Sequence, residues 1–247
     1  MPIRPDVTVV IAAKNEARSI ADVVRACARL TPHVLVIDGH STDGTAAVAA
    51  ASGAVVALDG GRGKGDAIRT AVPMIATAIA VFIDADGSHD AADIPRLLAP
   101  LDAGEAEHVG ASRLIGGSSE LHGGFDEFWR LAGSSFITAC VNRRFRVRLS
   151  DSQNGFRAIR TSVLRELRLR EDSTTIEQEM IMRTLALGYR VAEVPSHERP
   201  RRFGVSHVRI SRVAHRYVYC LIRGLLAGRS APAHQRRVAV PSRRYSA

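Results

Sequence analysis

Cysteine is scarce in this 247-residue sequence, and long apolar runs are missing from it. The three cysteines, Cys27, Cys140 and Cys220, lie far apart, so their number and spacing argue against a disulfide framework and form no zinc motif. No stretch reaches the roughly 18 apolar residues of a membrane span. The first residues show no apolar signal region. These absences are typical of a protein of the reducing cytoplasm, where we expect this chain to act.

Aromatic residues are also few, and negative charge is outnumbered by positive charge. Phenylalanine, tryptophan and tyrosine make up 5% of the chain, and 34 basic residues against 25 acidic residues give a net charge of +9. This balance predicts an acidic partner, such as a phosphorylated ligand, an anionic membrane surface or a nucleic acid, unless the basic surface is merely solvated. Because no aromatic-rich basic segment or named nucleic-acid motif occurs, we expect no nucleic-acid partner.

The first half of the chain alternates short apolar runs with helix-like patterns. Apolar runs predict buried strands at residues 7–12, 34–37, 54–58 and 80–83. The intervening and following segments predict helices at residues 20–27, 42–51, 66–74 and 93–101. This alternation predicts an α/β fold with a mainly parallel sheet covered on both faces. Such sheets bind ligands at the carboxyl ends of their strands, where polar residues follow here.

The second half is less regular. A Gly/Ser-rich loop spans residues 116–124, and a basic loop spans residues 199–207. Periodicity predicts helices at residues 125–145, 174–187 and 210–225, and a strand at residues 189–194. The last residues, 229–247, are basic and contain proline and serine, which is typical of a disordered tail.

Two aspartates end the fourth apolar run, in the segment VFIDADGSHD at residues 81–90. Residues two apart in an extended chain point the same way, so Asp84 and Asp86 would place their carboxylates side by side. Like charges repel unless a cation lies between or beside them. Hard oxygen ligands suit Mg²⁺ or Mn²⁺, which would also hold a diphosphate. The alternative is a solvated turn, but the position at the end of a buried strand favours a metal site.

Seven motifs carry a resemblance to a known family. They are VTVVIAAKNEA (7–17), VIDGHSTDGT (36–45), GKGDAIRTAV (63–72), VFIDADGSHD (81–90), DSQNGFRAIR (151–160), EMIMRTLALGYRVAEVP (179–195) and RRFGVSH (201–207). In this order they resemble the family 2 inverting glycosyltransferases, and within these the polyprenyl-phosphate (dolichyl-phosphate) mannosyl- and glucosyltransferase group. The resemblance implies a GT-A fold, which is Rossmann-like and binds a nucleotide sugar.

The resemblance also implies a role for each matching position. The donor, a GDP-hexose or UDP-hexose, would be held by Ala12, Lys14 and Glu16 at the base and ribose, Asp38 at the base or ribose, Asp84 at the ribose and diphosphate, and Arg201 or Arg202 with Ser206 at the diphosphate. Asp86, with Asp84 beside it, would hold the Mg²⁺ or Mn²⁺ cofactor. We expect one GT-A domain over residues 1–228, with a nucleotide-binding half at 1–112 and an acceptor half at 113–228.

The sequence departs from the family pattern at five places. Ala12 stands where proline is common and Lys14 where an aromatic residue is common, so the base that is bound is left open. Gly39 replaces the second acid of a common Asp-Asp pair, Ser88 replaces a common glutamine, and His207 replaces a lysine. The membrane-spanning segments attached to some relatives are absent from this sequence.

The resemblance implies that three residues bind the acceptor phosphate. Arg113 follows the strand after the metal motif, and Arg130 and Ser134 lie four residues apart on a predicted helix. Positions four apart share a helix face, so the last two could converge on one phosphate. Guanidinium groups suit this role because they offer paired donors and stay charged. The alternative is that Arg130 pairs on the surface with the acidic residues at 126 and 127.

The reaction expected from this resemblance is one in-line displacement at the anomeric carbon. A polyprenyl-phosphate acceptor is already anionic and needs no general base. The second possibility is a soluble transferase acting on a hydroxyl of a small molecule or glycan. A hydroxyl acceptor would need a base, for which Asp151, Glu177 and Glu179 are the candidates.

Two further segments have open interpretations. GGRGKGD at residues 60–66 resembles a phosphate loop, but Gly65 follows Lys64 where such a loop needs serine or threonine, so Lys64 could be a solvated loop residue. The apolar stripe of the helix at 210–225 has arginines beside it at 209, 212, 216 and 223. It either binds anionic lipid, peripherally at the inner face of the plasma membrane, or packs on the catalytic domain.

Overall fold

The computed structural model describes residues 2–118, 125–201 and 210–227 of the chain, without the side chains of 125–130, 210–213 and 227. Several predictions fall outside this part of the chain. They concern Arg202, Ser206, the side chain of Arg130, most of the glycine-rich loop and the tail at 229–247. Within the described ranges, no helix is long and apolar enough to cross a bilayer.

The described residues contain a seven-stranded sheet in the spatial order β3-β2-β1-β4-β6-β5-β7. Its strands are β1 (Val7–Ala13), β2 (His33–Asp38), β3 (Val55–Leu58), β4 (Ile79–Asp84), β5 (His108–Ser112), β6 (Arg157–Arg160) and β7 (Val191–Pro195). Every paired neighbour is parallel except β6, which runs antiparallel to both β4 and β5. The predicted mainly parallel α/β sheet is therefore confirmed.

Helices flank the sheet. They are α1 (Ile20–Ala28), α2 (Thr45–Ala51), α3 (Lys64–Ala71), α4 (Ile94–Asp102), α5 (Arg113–Gly116), α6 (Phe125–Phe145), α7 (Thr161–Glu166), α8 (Ile176–Ala186) and α9 (Ile210–Ala227). Helix α1 shows why the apolar spacing predicts these elements, because Ile20, Val23, Val24 and Cys27 are all buried.

The sheet has a core on each face. Alternate residues of β1 divide between them: Val9 and Ile11 pack with α1 and α4, whereas Val10 packs with α3, α7 and α8. A third apolar cluster joins α6, α8 and α9 beyond the sheet. The central strands are apolar on both sides, as expected of a parallel sheet buried between two helical layers.

The sequence did not predict β6 and α7, and it misplaced the helix that contains residue 66. Strand β6 reads RAIR, with arginines at both ends, so its apolar pattern is too short to identify a strand. Arg157 is nevertheless buried, because its guanidinium donates to the carbonyls of Asn154 and Glu177. The predicted helix at 66–74 begins earlier and ends at Ala71, where a 3₁₀ turn containing proline follows.

Strand register brings the predicted polar residues to one edge of the sheet. Ala12 on β1 lies opposite Asp84 on β4, and Ala13 lies opposite Asp38 on β2. Arg113 follows β5 directly, as the first residue of α5. The carboxyl ends of the neighbouring strands β2, β1 and β4, and of β5 beyond the antiparallel strand β6, thus lie at one edge of the sheet, where the general rule for open α/β sheets predicts a ligand site.

Candidate functional site

A cavity of about 770 Å³ lies at the carboxyl edge of the sheet. One wall comes from the ends of β1 and β4 and from the residues that follow β2, β3 and β5. The opposite wall comes from α6, α8 and α9, through residues such as Ile137, Glu177 and Tyr217. The cavity therefore joins the predicted nucleotide-binding half of the chain to the predicted acceptor half.

Lys64 lies between two carboxylates in this cavity. Its Nζ is 2.5 Å from Asp84 Oδ1 and 2.8 Å from Glu177 Oε1. Burial disfavours the charged ammonium, but the two carboxylates outweigh burial and raise the pKa of Lys64. Burial also opposes the ionisation of Asp84, but Lys64 and His89 together lower the pKa of that carboxyl to about 2. The structure thus argues against the alternative in which Lys64 is a solvated loop residue.

Gly155 leaves room for this ion pair. A Cβ atom at position 155 would lie 2.8 Å from Lys64 Nζ and 2.9 Å from Asp84 Oδ2. Contacts this short force at least one of the two charged groups to move. The glycine thus serves here to leave space for Lys64 and Asp84, and not to allow a left-handed backbone conformation.

We expect Gly155→Ala to weaken nucleotide binding or turnover by about a hundredfold, because misplacement of a site group by about 1 Å has effects of this size. Calorimetric titration with nucleoside diphosphates and steady-state kinetics measure the two effects. Gly110→Ala is the matched control, since a Cβ atom at that buried strand position would meet nothing within 4 Å. Equal behaviour of the two variants would contradict the role given to Gly155.

Asp86, the second aspartate of the motif, is also fully engaged. One carboxylate oxygen accepts hydrogen bonds from the backbone N–H of Ser88 at 3.0 Å and from its hydroxyl at 2.7 Å. The other oxygen lies 2.9 Å from Nη2 of Arg201, whose Nη1 lies 2.8 Å from Glu16. Arg201 thus links the loop after β1 to the metal motif, and both belong to the cavity lining.

Arg113 forms a two-pronged ion pair with Asp151. Its Nε and Nη2 donate to the two carboxylate oxygens of Asp151 at 2.6 and 3.0 Å, and its Nη1 lies 3.6 Å from Glu198. Burial opposes both charges, but the pairing outweighs burial, raising the pKa of Arg113 and lowering that of Asp151. Arg113 also lines the cavity, so its guanidinium, held by Asp151 and near Glu198, borders the space that a ligand would occupy.

Four buried polar atoms of the cavity lining have no hydrogen-bond partner among the described residues. They are the ring nitrogen Nδ1 of His89, the amide nitrogens Nε2 of Gln153 and Nδ2 of Asn154, and the carboxylate oxygen Oε2 of Glu177. Buried polar groups are nearly always hydrogen-bonded, and an unmade bond costs about 1–3 kcal/mol. Two amide donors, a ring nitrogen and a carboxylate acceptor without partners in the same cavity suit a ligand that carries hydroxyl groups.

The predicted site residues divide into three sets. Those that line the cavity are Ala12, Lys14, Glu16, Asp84, Asp86, Arg113, Ser134 and Arg201. Asp38 is not among the lining residues, and its Oδ2 accepts a hydrogen bond from the backbone N–H of Ser41, so it shapes the turn after β2. Its Oδ1 is buried and has no partner in the described part of the chain. Arg202, Ser206 and the side chain of Arg130 form the third set, outside the described residues.

The side chains of this site suit a divalent cation only in part. Nowhere in residues 2–118, 125–201 and 210–227 do three or more acidic, histidine or cysteine side chains lie together as metal ligands. Lys64 and Arg201 already neutralise Asp84 and Asp86, so charge repulsion alone does not demand a metal. Mg²⁺ nevertheless commonly uses one or two carboxylates and takes its other ligands from water and substrate phosphates. The two aspartates fit a cation that arrives with a diphosphate.

Sequence reasoning missed the central part of the site. The sequence named Glu177 only as a candidate base, left Lys64 as a possible solvated loop residue and assigned Asn154 no role, although all three line the cavity. Their partners lie far away in the chain: Lys64 is 20 residues from Asp84, and Arg113 is 38 residues from Asp151. The available signal was the polarity of residues 151–154 just before an apolar segment, which marks a loop at a sheet edge without naming its contacts.

Comparisons with known proteins agree with the geometry. The model of the family described as "Glycosyl transferase family 2" matches residues 8–168. An uncharacterized glycosyltransferase of Mycobacterium tuberculosis is 34% identical over 205 residues, covering 82% of this chain and 89% of the relative. A dolichyl-phosphate hexose transferase of Haloferax volcanii is 29% identical over 203 residues, covering 79% and 84% of the two chains.

A solved structure supports the fold. It is glucosyl-3-phosphoglycerate synthase from Mycobacterium tuberculosis, in complex with Mn²⁺, uridine-diphosphate-glucose and phosphoglyceric acid. The TM-score is 0.70 at 22% sequence identity, and the match covers 91% of this chain and 81% of the other. The GT-A fold expected from the sequence motifs is thereby confirmed.

Proposed function

The chain belongs to glycosyl transferase family 2, and on that premise we propose that it moves a hexose from a nucleoside-diphosphate sugar to a polyprenyl phosphate, with inversion. The observation that carries the proposal is a single cavity that holds the Asp84–Asp86 motif, the basic residue Arg201 and, after β5, a second basic residue, Arg113. Such a cavity offers places for two phosphate-containing substrates at once. The names of the Haloferax relative and the Mycobacterium synthase support substrates of this kind for those proteins.

The donor would lie against β1 and β4. Ala12, Lys14 and Glu16 border the part of the cavity next to Arg201, where a base and ribose would fit, with Arg202 and Ser206 as further candidates near the diphosphate. A divalent cation held by Asp86, with Asp84 beside it, supplies positive charge to the leaving diphosphate when it is bound. Arg201 adds a second positive charge on the same side, and its ion pairs with Asp86 and Glu16 hold it in position.

The acceptor would lie between Arg113, at the end of β5, and Ser134 on α6, both of which line the cavity. A phosphate oxygen already carries negative charge, so attack on the anomeric carbon needs no proton to be removed. Two of the three candidate bases agree with this reading. Asp151 is held by Arg113, and Glu179 accepts hydrogen bonds from two backbone N–H groups and two arginines.

One observation favours a second function. Glu177 lines the cavity, and its Oε2 has no hydrogen-bond partner among the described residues, so this carboxylate could serve as a general base. The enzyme would then transfer the hexose to a hydroxyl of a small molecule or glycan. Lys64 weakens this candidate because its Nζ already contacts the other carboxylate oxygen of Glu177 at 2.8 Å. Glu177→Gln separates the two functions, since only a hydroxyl acceptor depends on the base.

The test of the proposed function is a panel of UDP- and GDP-hexoses incubated with the protein and Mg²⁺ or Mn²⁺. Each donor is offered with a short polyprenyl phosphate and, separately, without an acceptor. Mass spectrometry then detects the glycosylated acceptor and the released nucleotide. We expect one nucleotide base to dominate and the product to contain one hexose. Release of sugar to water alone, with every donor, would contradict the proposed acceptor.

We expect excess EDTA to lower the transfer rate at least about a hundredfold, because the cation neutralises charge that develops on the diphosphate. Added Mn²⁺ or Mg²⁺ should restore the rate. Nucleoside-diphosphate binding, measured by calorimetry with and without EDTA, gives a readout that does not depend on turnover. A full transfer rate in excess EDTA would show that transfer does not need a divalent cation.

A further inference from the structure

Helix α9 has two apolar faces. One face packs on the domain: Cys220 and Leu221 are buried, and Gly224 allows close contact with Met182 on α8. The second face is exposed and contains Val218, Ile222 and Leu226, spaced four residues apart so that they share one side of the helix, with Tyr219 beside them. The predicted stripe therefore packs on the domain along one side only, and Leu226 is 81% exposed.

Helix α6 extends this exposed apolar surface. Phe136 on α6 is 66% exposed, and both Phe136 and Val218 line the mouth of the cavity. The two helices run side by side from that mouth, because Ile137 and Leu221 share one core cluster and Arg144 Nε donates to the carbonyl of Leu225. We call Phe136, Val218, Tyr219, Ile222 and Leu226 the α6–α9 face.

The surroundings of the α6–α9 face are basic. Residues 131–150 contain four arginines and no aspartate or glutamate, and α9 contains three arginines and no acidic residue, although Arg223 of α9 pairs with Glu171 and Glu179. Among them, Arg143 is exposed on the same side of α6 as Phe136, and Arg216 is exposed one turn before Tyr219. Apolar side chains next to arginines suit a surface that is apolar inside and negatively charged outside.

We propose that the α6–α9 face docks on an anionic lipid bilayer, so that the cavity opens toward the membrane. Charge complementarity and continuity with the cavity mouth distinguish this occupant from a second copy of the chain, whose own face carries the same positive charge and would repel it. What this docking means for the acceptor depends on the proposed function. A polyprenyl phosphate could reach Arg113 with its phosphate while its apolar chain stays in the bilayer.

Flotation of the full chain with vesicles tests the docking without any substrate. Vesicles of phosphatidylcholine containing about a third phosphatidylglycerol, at low salt, should carry the protein upward, whereas pure phosphatidylcholine should carry much less. The double change Ile222→Ser and Leu226→Ser should lower the partition coefficient about tenfold or more, because two large apolar side chains no longer enter the interface. Raised salt should also release the protein.

The matched control is the pair Ile3→Ser and Val55→Ser, which removes two apolar side chains that are each 64% exposed but lie far from α9. This control should float like the wild type, and thermal unfolding should show that both double variants fold. Equal flotation of both doubles would overturn the proposal. So would a wild-type dimer in sedimentation that only the α9 double dissociates, because a second copy would then occupy the face.

Failure of docking and failure of the proposed function give different results. Transfer to a short, water-soluble polyprenyl phosphate without vesicles depends on the cavity, and the α9 double should leave it unchanged. Protein that floats but transfers nothing to this acceptor supports docking and contradicts the proposed function. Protein that transfers but does not float contradicts docking alone.

Discussion

Asp86→Asn should lower turnover by on the order of a thousandfold while leaving the fold intact. The amide has the shape of the carboxylate and can still accept the hydrogen bonds from Ser88. It loses the negative charge that would hold a cation, and its NH₂ group would face Arg201 in place of an acceptor oxygen. Steady-state kinetics across a metal titration measures the change, and thermal unfolding verifies the fold.

Asp102→Asn is the matched control for this change. Asp102 also pairs with an arginine, Arg4, at 2.8 Å, but it lies on the surface far from the cavity. Its amide variant should keep the wild-type rate, because an exposed ion pair contributes little to stability and none to the site. Undiminished turnover in Asp86→Asn would defeat the assignment of this residue as the metal ligand.

Arg113→Lys should raise the Michaelis constant for a polyprenyl-phosphate acceptor about ten- to a hundredfold, with donor binding nearly unchanged. Lysine keeps the positive charge but lacks the several N–H groups with which arginine can bind Asp151 and an anion at the same time. Arg113→Ala has a second effect, because it leaves Asp151 buried without its partner, which can cost about 3–5 kcal/mol of stability. The lysine variant is therefore the cleaner test of the acceptor site.

Arg4→Lys is the control for replacing a guanidinium by an ammonium, since Arg4 pairs with Asp6 and Asp102 on the surface. It should leave both Michaelis constants unchanged. Arg130→Ala should behave like Arg113→Lys, and the two changes together should be less than additive if both side chains bind one phosphate. Weakened donor binding in either single variant would remove these residues from the acceptor site and favour the hydroxyl-acceptor function.

The parts of the fold that depend on local patterns were predictable from the sequence. Apolar runs such as Val7–Ala13 and Ile79–Asp84 gave strands within one residue or so, because a strand buried on both faces has few polar positions to confuse the pattern. The order of motifs then predicted the GT-A fold. The antiparallel strand Arg157–Arg160 was not predicted, because its four residues begin and end with arginine and carry no periodic signal. Its place in the sheet depends on pairing with β4 and β5.

The electrostatics of the site could not be predicted in the same way. The sequence places Asp84 and Asp86 side by side and implies that a cation must separate them. In the folded chain two basic side chains, Lys64 and Arg201, supply that positive charge. Nor does any local pattern link Arg113 to Asp151, because their pairing arises only when β5 and the loop before β6 meet. Contacts across long chain separations decide which charges are free to bind a ligand.

The central claim is that the acceptor is a polyprenyl phosphate, and its most direct test is a competition between matched acceptors. The best nucleotide sugar from the donor panel is offered with a short polyprenyl phosphate, the corresponding polyprenol and a small phosphorylated hydroxy acid, and products are measured by mass spectrometry. We expect hexosylated polyprenyl phosphate as the main product, with its formation reduced strongly by Arg113→Lys and with its kcat unchanged by Glu177→Gln. Preferred transfer to either hydroxyl acceptor, abolished by Glu177→Gln, would contradict it.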